Sequence, residues 1–142
     1  MQENIKLHDI VLATSACSES SINDNLFGNI HFSVNPDFDL LVKAVEKSRE
    51  LGYRTHCGQV HSSDQFYNNM EPKVFENLRK YGILCVEMES YGLFMAARKH
   101  GKKALGIFTI SDSLIENVSD SAENRQKSYT NMMQLALEVA EG

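Results

Sequence analysis

In the stretch Val86-Glu87-Met88-Glu89-Ser90, two carboxylates bracket a methionine at the junction of two apolar segments. The run Ile83-Leu84-Cys85-Val86 before it reads as a short buried strand. Ser90 to Gly101 after it reads as a buried helix closed by glycine. In open α/β sheets ligands collect at the carboxyl ends of strands, and a carboxylate buried there needs partners because an unpaired interior charge is costly. Carboxylates in such a place either accept hydrogen bonds from a bound ligand or answer the positive end of a helix dipole. The stretch by itself leaves both readings open.

Three further groups have residue types that do chemistry. The hydroxyls between Ser15 and Ser21 follow a strand and form either a rim for a polar ligand or an ordinary turn, the turn being slightly favoured. Phe66 and Tyr67 stand side by side in the polar loop from Ser63 to Asn69; one ring anchors such a loop, and a second is free to face a ligand. His56 and His61 are separated by an odd offset that puts them on opposite faces of a strand, with no paired cysteines, so no metal site is expected. Neither G-x-G-x-x-G nor a P-loop is present, which removes the main support for a dinucleotide or nucleoside triphosphate site.

The elements that position these residues alternate along the chain. Asp9 to Ala16 reads as a strand, and Ile22 to Val34 as irregular, with Ile30 to Ser33 as a short strand. Pro36 and Asp37 open a helix in which Phe38, Leu41, Val42 and Val45 recur at helical spacing until Leu51-Gly52. Tyr53 to Ser62 is a strand by partial alternation. Glu71-Pro72 starts a helix that runs to about Tyr81, with Val74, Phe75 and Leu78 facing inward. Lys103 to Ile110 is apolar enough for a strand buried on both faces, and it delivers Ser111-Asp112-Ser113 to its end. Asp120 with Glu123 three residues on is close to a capping box. It opens a last helix whose apolar face is Tyr129, Met132, Met133, Ala136, Val139 and Ala140. With no repeat and no linker, the expectation is one α/β domain over residues 1–142 with a largely parallel or mixed central sheet.

Composition bounds the function. A chain of 142 residues is sized for a single core, and 42% hydrophobic with 23% charged residues is ordinary for a soluble globular protein. A net charge of -5 argues against a nucleic-acid or anionic-membrane partner. No apolar run approaches the roughly 18 residues of a membrane span, and the first residues lack the basic and apolar regions of a signal peptide. Cys17, Cys57 and Cys85 are odd in number, far apart and each in or beside a strand-like stretch. They read as buried free thiols in a reducing cytoplasm.

Four pieces occur in a telling order: SDQFY from Ser63 to Tyr67, VEMES from Val86 to Ser90, TISD from Thr109 to Asp112, and Arg125. With the ATSACSESS segment and the PDFDLL helix start, they resemble the nucleoside phosphorylase superfamily, and within it the bacterial-type, hexameric purine nucleoside phosphorylases. The similarity runs from about Lys6 to the end of the chain.

That resemblance implies a three-layer phosphorylase/hydrolase-like fold with a mixed central sheet, and reversible phosphorolysis of purine (deoxy)ribonucleosides to free base and (deoxy)ribose 1-phosphate. It implies no cofactor beyond inorganic phosphate as co-substrate, no metal, a homo-oligomer, and a cytoplasmic role in purine salvage. Residue by residue, it implies that Glu89 accepts hydrogen bonds from the ribose hydroxyls and that Met88 packs on the sugar. Val86 and Phe66 line the base site, while Glu87 and Ser111 belong to the same substrate-binding set. Asp112, kept neutral by desolvation at the end of a buried strand, donates a proton toward purine N7. Arg125, approaching only when substrate is bound, favours that transfer. The competing reading of Asp112 with Arg125 is a structural salt bridge.

Uridine phosphorylases resemble the chain around FY and EMES, but they read the pyrimidine with a Gln and an Arg shortly after the aromatic loop, where this chain has Asn68-Asn69-Met70-Glu71-Pro72-Lys73. They also lack a match to Asp112. Nucleosidases that use water in place of phosphate share the VEME and SD elements and separate less sharply. The match begins midway through the family pattern, without its glycine-rich phosphate loop and arginines, so no residue here is assigned to phosphate. The expectation is an N-terminally truncated domain: a fragment, half of a split enzyme, or a non-catalytic nucleoside-binding remnant, with little or no activity alone.

Overall fold

The structure, a computed structural model, describes residues 1–65, 71–116, 118–127 and 129–141. Its elements in chain order are β1 (Ile10–Ser18), α1 (Ile22–Phe27), α2 (Phe38–Glu50), β2 (Thr55–Ser62), α3 (Pro72–Lys80) and β3 (Val86–Glu87). There follow α4 (Ser90–Lys99), β4 (Ile107–Thr109), β5 (Asp112–Ser113), β6 (Val118–Ser119), α5 (Ala122–Lys127) and α6 (Thr130–Glu141). The main sheet has the order β3-β2-β1-β4; β1, β2 and β3 are parallel, and β4 runs antiparallel to β1. This is a mixed α/β fold with a mixed sheet. β5 and β6 form a separate hairpin.

Apolar alternation along β1 explains the layers. Ile10 and Leu12 face α2 and α6, packing with Ala44, Leu135 and Val139. Val11 and Ala13 face the other way, with Val60 of β2 and Tyr91, Phe94 and Met95 of α4. The register shifts by one residue between Ala13 and Ser15. After that bulge it is the even-numbered Ala16 that joins the α4 side. Helices thus cover both faces of the sheet.

Local chemistry sets the helix ends. The Asp37 side chain accepts from the Leu40 N–H at 3.1 Å and caps α2, and Gly52 leaves it with φ at +70°. Pro72 opens α3, and Gly101 follows α4 with φ at +62°.

Several expectations from sequence are corrected. The segment expected to be irregular contains α1, and the expected strand from Ile30 to Ser33 is absent, Val34 alone bridging to Ala16. Asn23 organises this segment, giving its amide N–H to the Ile30 carbonyl at 2.9 Å and accepting from the Phe32 N–H at 2.9 Å. The strand before VEMES begins later than expected, at Val86, although Leu84 and Cys85 already exchange backbone hydrogen bonds with β2. The strand expected from Lys103 to Ile110 is confined to Ile107–Thr109, and it is half-buried because it lies at an edge of the sheet. α3 buries none of its residues, so Val74, Phe75 and Leu78 do not form the expected core face. Cys57 is exposed and Cys17 half-buried; only Cys85 is a buried thiol, pushed up to about 12 by that burial.

The expected last helix is divided into α5 and α6. Ser121, not Asp120, caps α5, its hydroxyl accepting from the Asn124 N–H at 3.1 Å. On α6 the buried residues are Leu135 and Val139, whereas Met133, Ala136 and Ala140 are exposed. Leu135→Ala should therefore cost about 3 kcal/mol, and Met133→Ala should stay within about 0.5 kcal/mol. Urea midpoints at unchanged m-value decide it; equal losses would contradict this orientation of α6.

Candidate active site

Three parallel strands stop together. Ser18, Ser62 and Glu87 are register partners, so the residues after them leave the sheet along one edge. α4 begins almost at once, and the first N–H groups of a helix have no partner within it. Glu87 supplies one. Its Oε2 accepts from the N–H groups of Glu89 and Ser90, each at 2.8 Å. Its Oε1 accepts from the Ser62 hydroxyl, which in turn accepts from the Tyr91 N–H at 2.9 Å. The Glu87 carbonyl receives the Ser63 N–H at 2.8 Å.

The two carboxylates of the turn therefore differ. Glu87 answers the helix end and a strand-end hydroxyl. Glu89 is exposed, and among the described residues only the Met88 N–H, at 3.2 Å, reaches its carboxylate. Val86 and Met88 are exposed beside it, at 37% and 39%. The edge thus presents one open carboxylate flanked by two apolar side chains. Phe66 lies outside the described residues.

A second carboxylate works at the same edge, and sequence reasoning passed over it. Glu19 directly follows β1. Its Oε2 pairs with Nε2 of the buried His61 at 2.7 Å, and its Oε1 accepts from the Ser63 hydroxyl at 2.9 Å and the Asp64 N–H at 3.0 Å. Partial burial pushes the Glu19 carboxyl up, but hydrogen bonds from its own N–H, Asp64, Ser63 and His61 outweigh it and hold the group below its ordinary value. The available signal was register: Cys17 pairs with His61, so a residue just past Ser18 reaches the end of β2.

A cleft of about 430 Å³ lies between α3 and these strand ends, lined by Cys17, Ser18, Glu19, His61, Glu71, Val74 and Leu78. The Cys17 thiol donates to the Val60 carbonyl at 3.6 Å. Burial, with the Glu19 and Glu87 charges, raises it above the usual thiol value, so it is no activated nucleophile. Among the described residues no group of three or more His, Cys, Asp or Glu side chains is arranged to hold a metal ion, and no helix is long and apolar enough to cross a membrane.

Asp112 and Ser111 lie elsewhere. Because β4 is antiparallel to β1 and Thr109 pairs with Ile10, the chain leaving β4 emerges at the amino end of β1. The Ile110 N–H bonds to the Asp9 carbonyl at 2.9 Å, fixing that exit. From Ile10 to Ser18 is on the order of 25 Å along the strand. Asp112 is 39% exposed and paired with Arg125 at 2.8 Å, and Ser111 donates its hydroxyl to the Asp112 carboxylate. The structure brings Ser111, Asp112 and Arg125 together, and separately Val86, Glu87, Met88 and Glu89. It does not bring the two groups to one end of β1. Asp112 and Arg125 stand paired.

A helix-covered mixed sheet thus carries an open carboxylate and a cleft where its parallel strands end, the place where ligands collect in open α/β sheets. The chain belongs to the phosphorylase superfamily, whose family profile matches residues 1–141. It is 42% identical over 141 residues to a DeoD-type purine nucleoside phosphorylase of Thermoanaerobacter sp. strain X514, covering 99% of this chain and 60% of that protein. A DeoD-type enzyme of Anoxybacillus flavithermus is 39% identical over 140 residues, covering 99% of this chain and 59% of that protein. One from Colwellia psychrerythraea is 38% identical over 138 residues, covering 97% and 58%. The chain thus spans about three-fifths of the length of the curated relatives it matches.

Two predictions separate the carboxylates. Glu87→Ala strands the α4 donors and should cost about 2 kcal/mol, while Glu89→Ala should stay within about 0.5 kcal/mol; comparable losses in chemical denaturation would contradict the division of roles. Glu19 has a lowered folded-state value, so its contribution is complete above its unfolded value and is lost as pH falls through the folded one. The stability gap between wild type and Glu19→Gln should be flat above about pH 5 and shrink below about pH 4. A gap that grows on acidification would reverse the assignment.

Proposed function

We propose that this chain carries the nucleoside-recognition part of a purine nucleoside phosphorylase. The observation that supports it most is the fixed VEMES turn: Glu87 is engaged by the protein's own donors, which leaves Glu89 and Met88 open at the strand ends. In the reaction, a purine ribonucleoside or deoxyribonucleoside and phosphate exchange reversibly with free base and (deoxy)ribose 1-phosphate. Breaking the N-glycosidic bond places positive charge on the sugar and negative charge on the departing base, and a catalyst must stabilise both.

Glu89 accepts hydrogen bonds from the ribose hydroxyls and faces the developing cation. Met88 packs its thioether on the sugar, and Val86 with Phe66 lines the base. Glu87 serves this set by holding the turn. Ser111 and Asp112 address the leaving purine, with Asp112 donating toward N7 and Arg125 favouring the transfer. Phosphate is the co-substrate, with no cofactor or metal in the chemistry. The remaining assignments go with this reading: purine salvage in the cytoplasm, as a homo-oligomer, with no nucleic-acid or membrane partner.

For the chain by itself the reading is nucleoside binding without turnover. The Asp112–Arg125 pair is already closed in an exposed setting, and it sits at the other end of β1 from Glu89. A general acid must reach the atom it protonates. Inosine should therefore raise the melting temperature of the purified chain by mass action, and Glu89→Ala should weaken inosine binding about 10- to 100-fold, as expected for charge-assisted hydrogen bonds. Chromatography should find neither hypoxanthine from inosine nor adenine from adenosine, with or without phosphate. Phosphate-dependent cleavage at an ordinary enzymatic rate would overturn the binding-only reading, cleavage without phosphate would favour a nucleosidase, and no stabilisation would remove the nucleoside site.

A further inference from the structure

We infer that His8 is a positioning residue for the Asp112–Arg125 pair: from the entry to β1 it fastens both ends of the segment that carries Asp112 and, through Asp120, the start of the helix that carries Arg125. The chemical meaning of that pair rests on the purine nucleoside reading given above; the fastening itself does not.

His8 stands two residues before β1, beside the point where β4 hands the chain over to Ser111 and Asp112. Its N–H donates to the Ile110 carbonyl at 2.9 Å. Its Nε2 meets Oδ2 of Asp120 at 3.0 Å, where the chain returns from the β5–β6 hairpin. Asp120 sends its own N–H to the Ser111 carbonyl at 2.8 Å, so the neck of the hairpin is closed by Asp120 and spanned by His8. On one side of that neck Ser111 donates its hydroxyl to the Asp112 carboxylate. On the other, the Asp120 carboxylate accepts from the Ser121 N–H and the Asn124 side chain, and Arg125 follows directly. One residue therefore governs how far apart the two partners stand.

The backbone singles out the same residue. Among the described residues His8 is the only one other than glycine with a positive φ, at +70°. An L side chain is crowded by its own backbone in that region, and the conformation persists only where the surroundings over-determine it. Here the main chain is held by Ile110 and the ring by Asp120. The Tyr129 hydroxyl reaches the same Oδ2 at 3.3 Å, and the Tyr129 ring stands edge-on to the imidazole, with centroids 6.1 Å apart. Asp120 is buried, and its carboxyl is held below the ordinary range, foremost by the Asn124 hydrogen bond. An ionised carboxylate only accepts, so Nε2 of His8 carries the proton in this pair. Glycine would make the same turn without strain and hold nothing beyond it.

The test is heteronuclear NMR of the full chain, well below each variant's melting temperature, on wild type, His8→Gly, His8→Gln, His8→Asn and Lys6→Ala. Two readouts are compared: the Arg125 side-chain signal, whose unpaired position is marked by Asp112→Ala, and exchange of the Asp120 amide. His8→Gly keeps the N–H for Ile110 and accepts the positive φ, so it removes the ring alone. In that variant the Arg125 signal should move toward the Asp112→Ala position. The Asp120 amide should exchange about tenfold faster, the scale of one charge-assisted hydrogen bond. His8→Gln reaches Asp120 with an amide N–H and should restore most of both readouts. His8→Asn tolerates this φ but is too short to reach, and should not. Lys6→Ala removes the exposed pair with Glu116, between β5 and β6, and should match wild type. An unmoved Arg125 signal in His8→Gly would overturn the proposal even if the melting temperature falls. Full rescue by His8→Asn, or the same change in Lys6→Ala, would overturn it as well. Stabilisation of wild type by inosine is measured alongside. If it is absent, the nucleoside reading fails, and the two NMR readouts still decide whether His8 holds the pair. If it is present and the readouts do not change in His8→Gly, only the role of His8 is lost.

Discussion

The backbone donors exposed where β3 turns into α4 have to be satisfied, and Glu87 is how the chain does it. A helix that starts two residues after a strand leaves its first N–H groups beside the sheet edge, where the cost of an unpaired buried donor is about 1–3 kcal/mol. One carboxylate takes two of them directly and a third through the Ser62 hydroxyl. That arrangement ties the end of β2 to the start of α4. It also dictates which side chain of the turn is left over. Glu89 is open because Glu87 is occupied.

The direction of β4 is the second constraint. β1, β2 and β3 are parallel and deliver Glu19, Ser63 and Met88 to one edge, whereas β4 returns antiparallel along β1 and delivers Ser111 and Asp112 to the other. A sheet of four parallel strands would have gathered all the candidate residues. In this chain the Met88–Glu89 set and the Asp112–Arg125 set stand at opposite ends of β1. The first has its open carboxylate and apolar flanks, the second its ion pair.

What sequence revealed and what it concealed follow from the range of the interactions involved. Helix ends were legible because they are local: Asp37 caps α2 three residues away, Pro72 opens α3, and Gly52 and Gly101 take the positive φ that closes their helices. Strand existence was legible from apolar runs such as Ile10 to Ala13. Burial was not, because it depends on what lies opposite. Val74 and Leu78 keep a helical apolar spacing, yet α3 stands away from the sheet and they line a cleft. Leu135 was overlooked on α6 because Met133 and Ala136 offered an equally good stripe, and only contact with Ala44 of α2 chooses between them. Strand direction was hidden because a short apolar run reads the same either way. Glu19 and His61 are 42 positions apart, and only the β1–β2 register makes them neighbours.

The Arg125 segment is anchored by the contacts of Asp120 and carries a second, exposed ion pair. Arg125 and Asp112 form an exposed pair, and such pairs are worth about 0–1 kcal/mol. The segment does not depend on it. Asp120, buried just before α5, accepts from the Ser121 N–H at 3.0 Å and the Asn124 side chain at 2.8 Å. The Tyr129 hydroxyl reaches it at 3.3 Å, and Nε2 of His8 pairs with it at 3.0 Å. The Asn124 hydrogen bond is the foremost reason its carboxyl lies below the usual range. Its own N–H bonds to the Ser111 carbonyl at 2.8 Å, tying α5 to the residue beside Asp112. With α5 held through Asp120, its placement does not depend on the Arg125–Asp112 pair. A weak, exposed ion pair on a firmly held helix suits a contact that has to be made and broken, which is what the proton-transfer role proposed for Asp112 requires of Arg125.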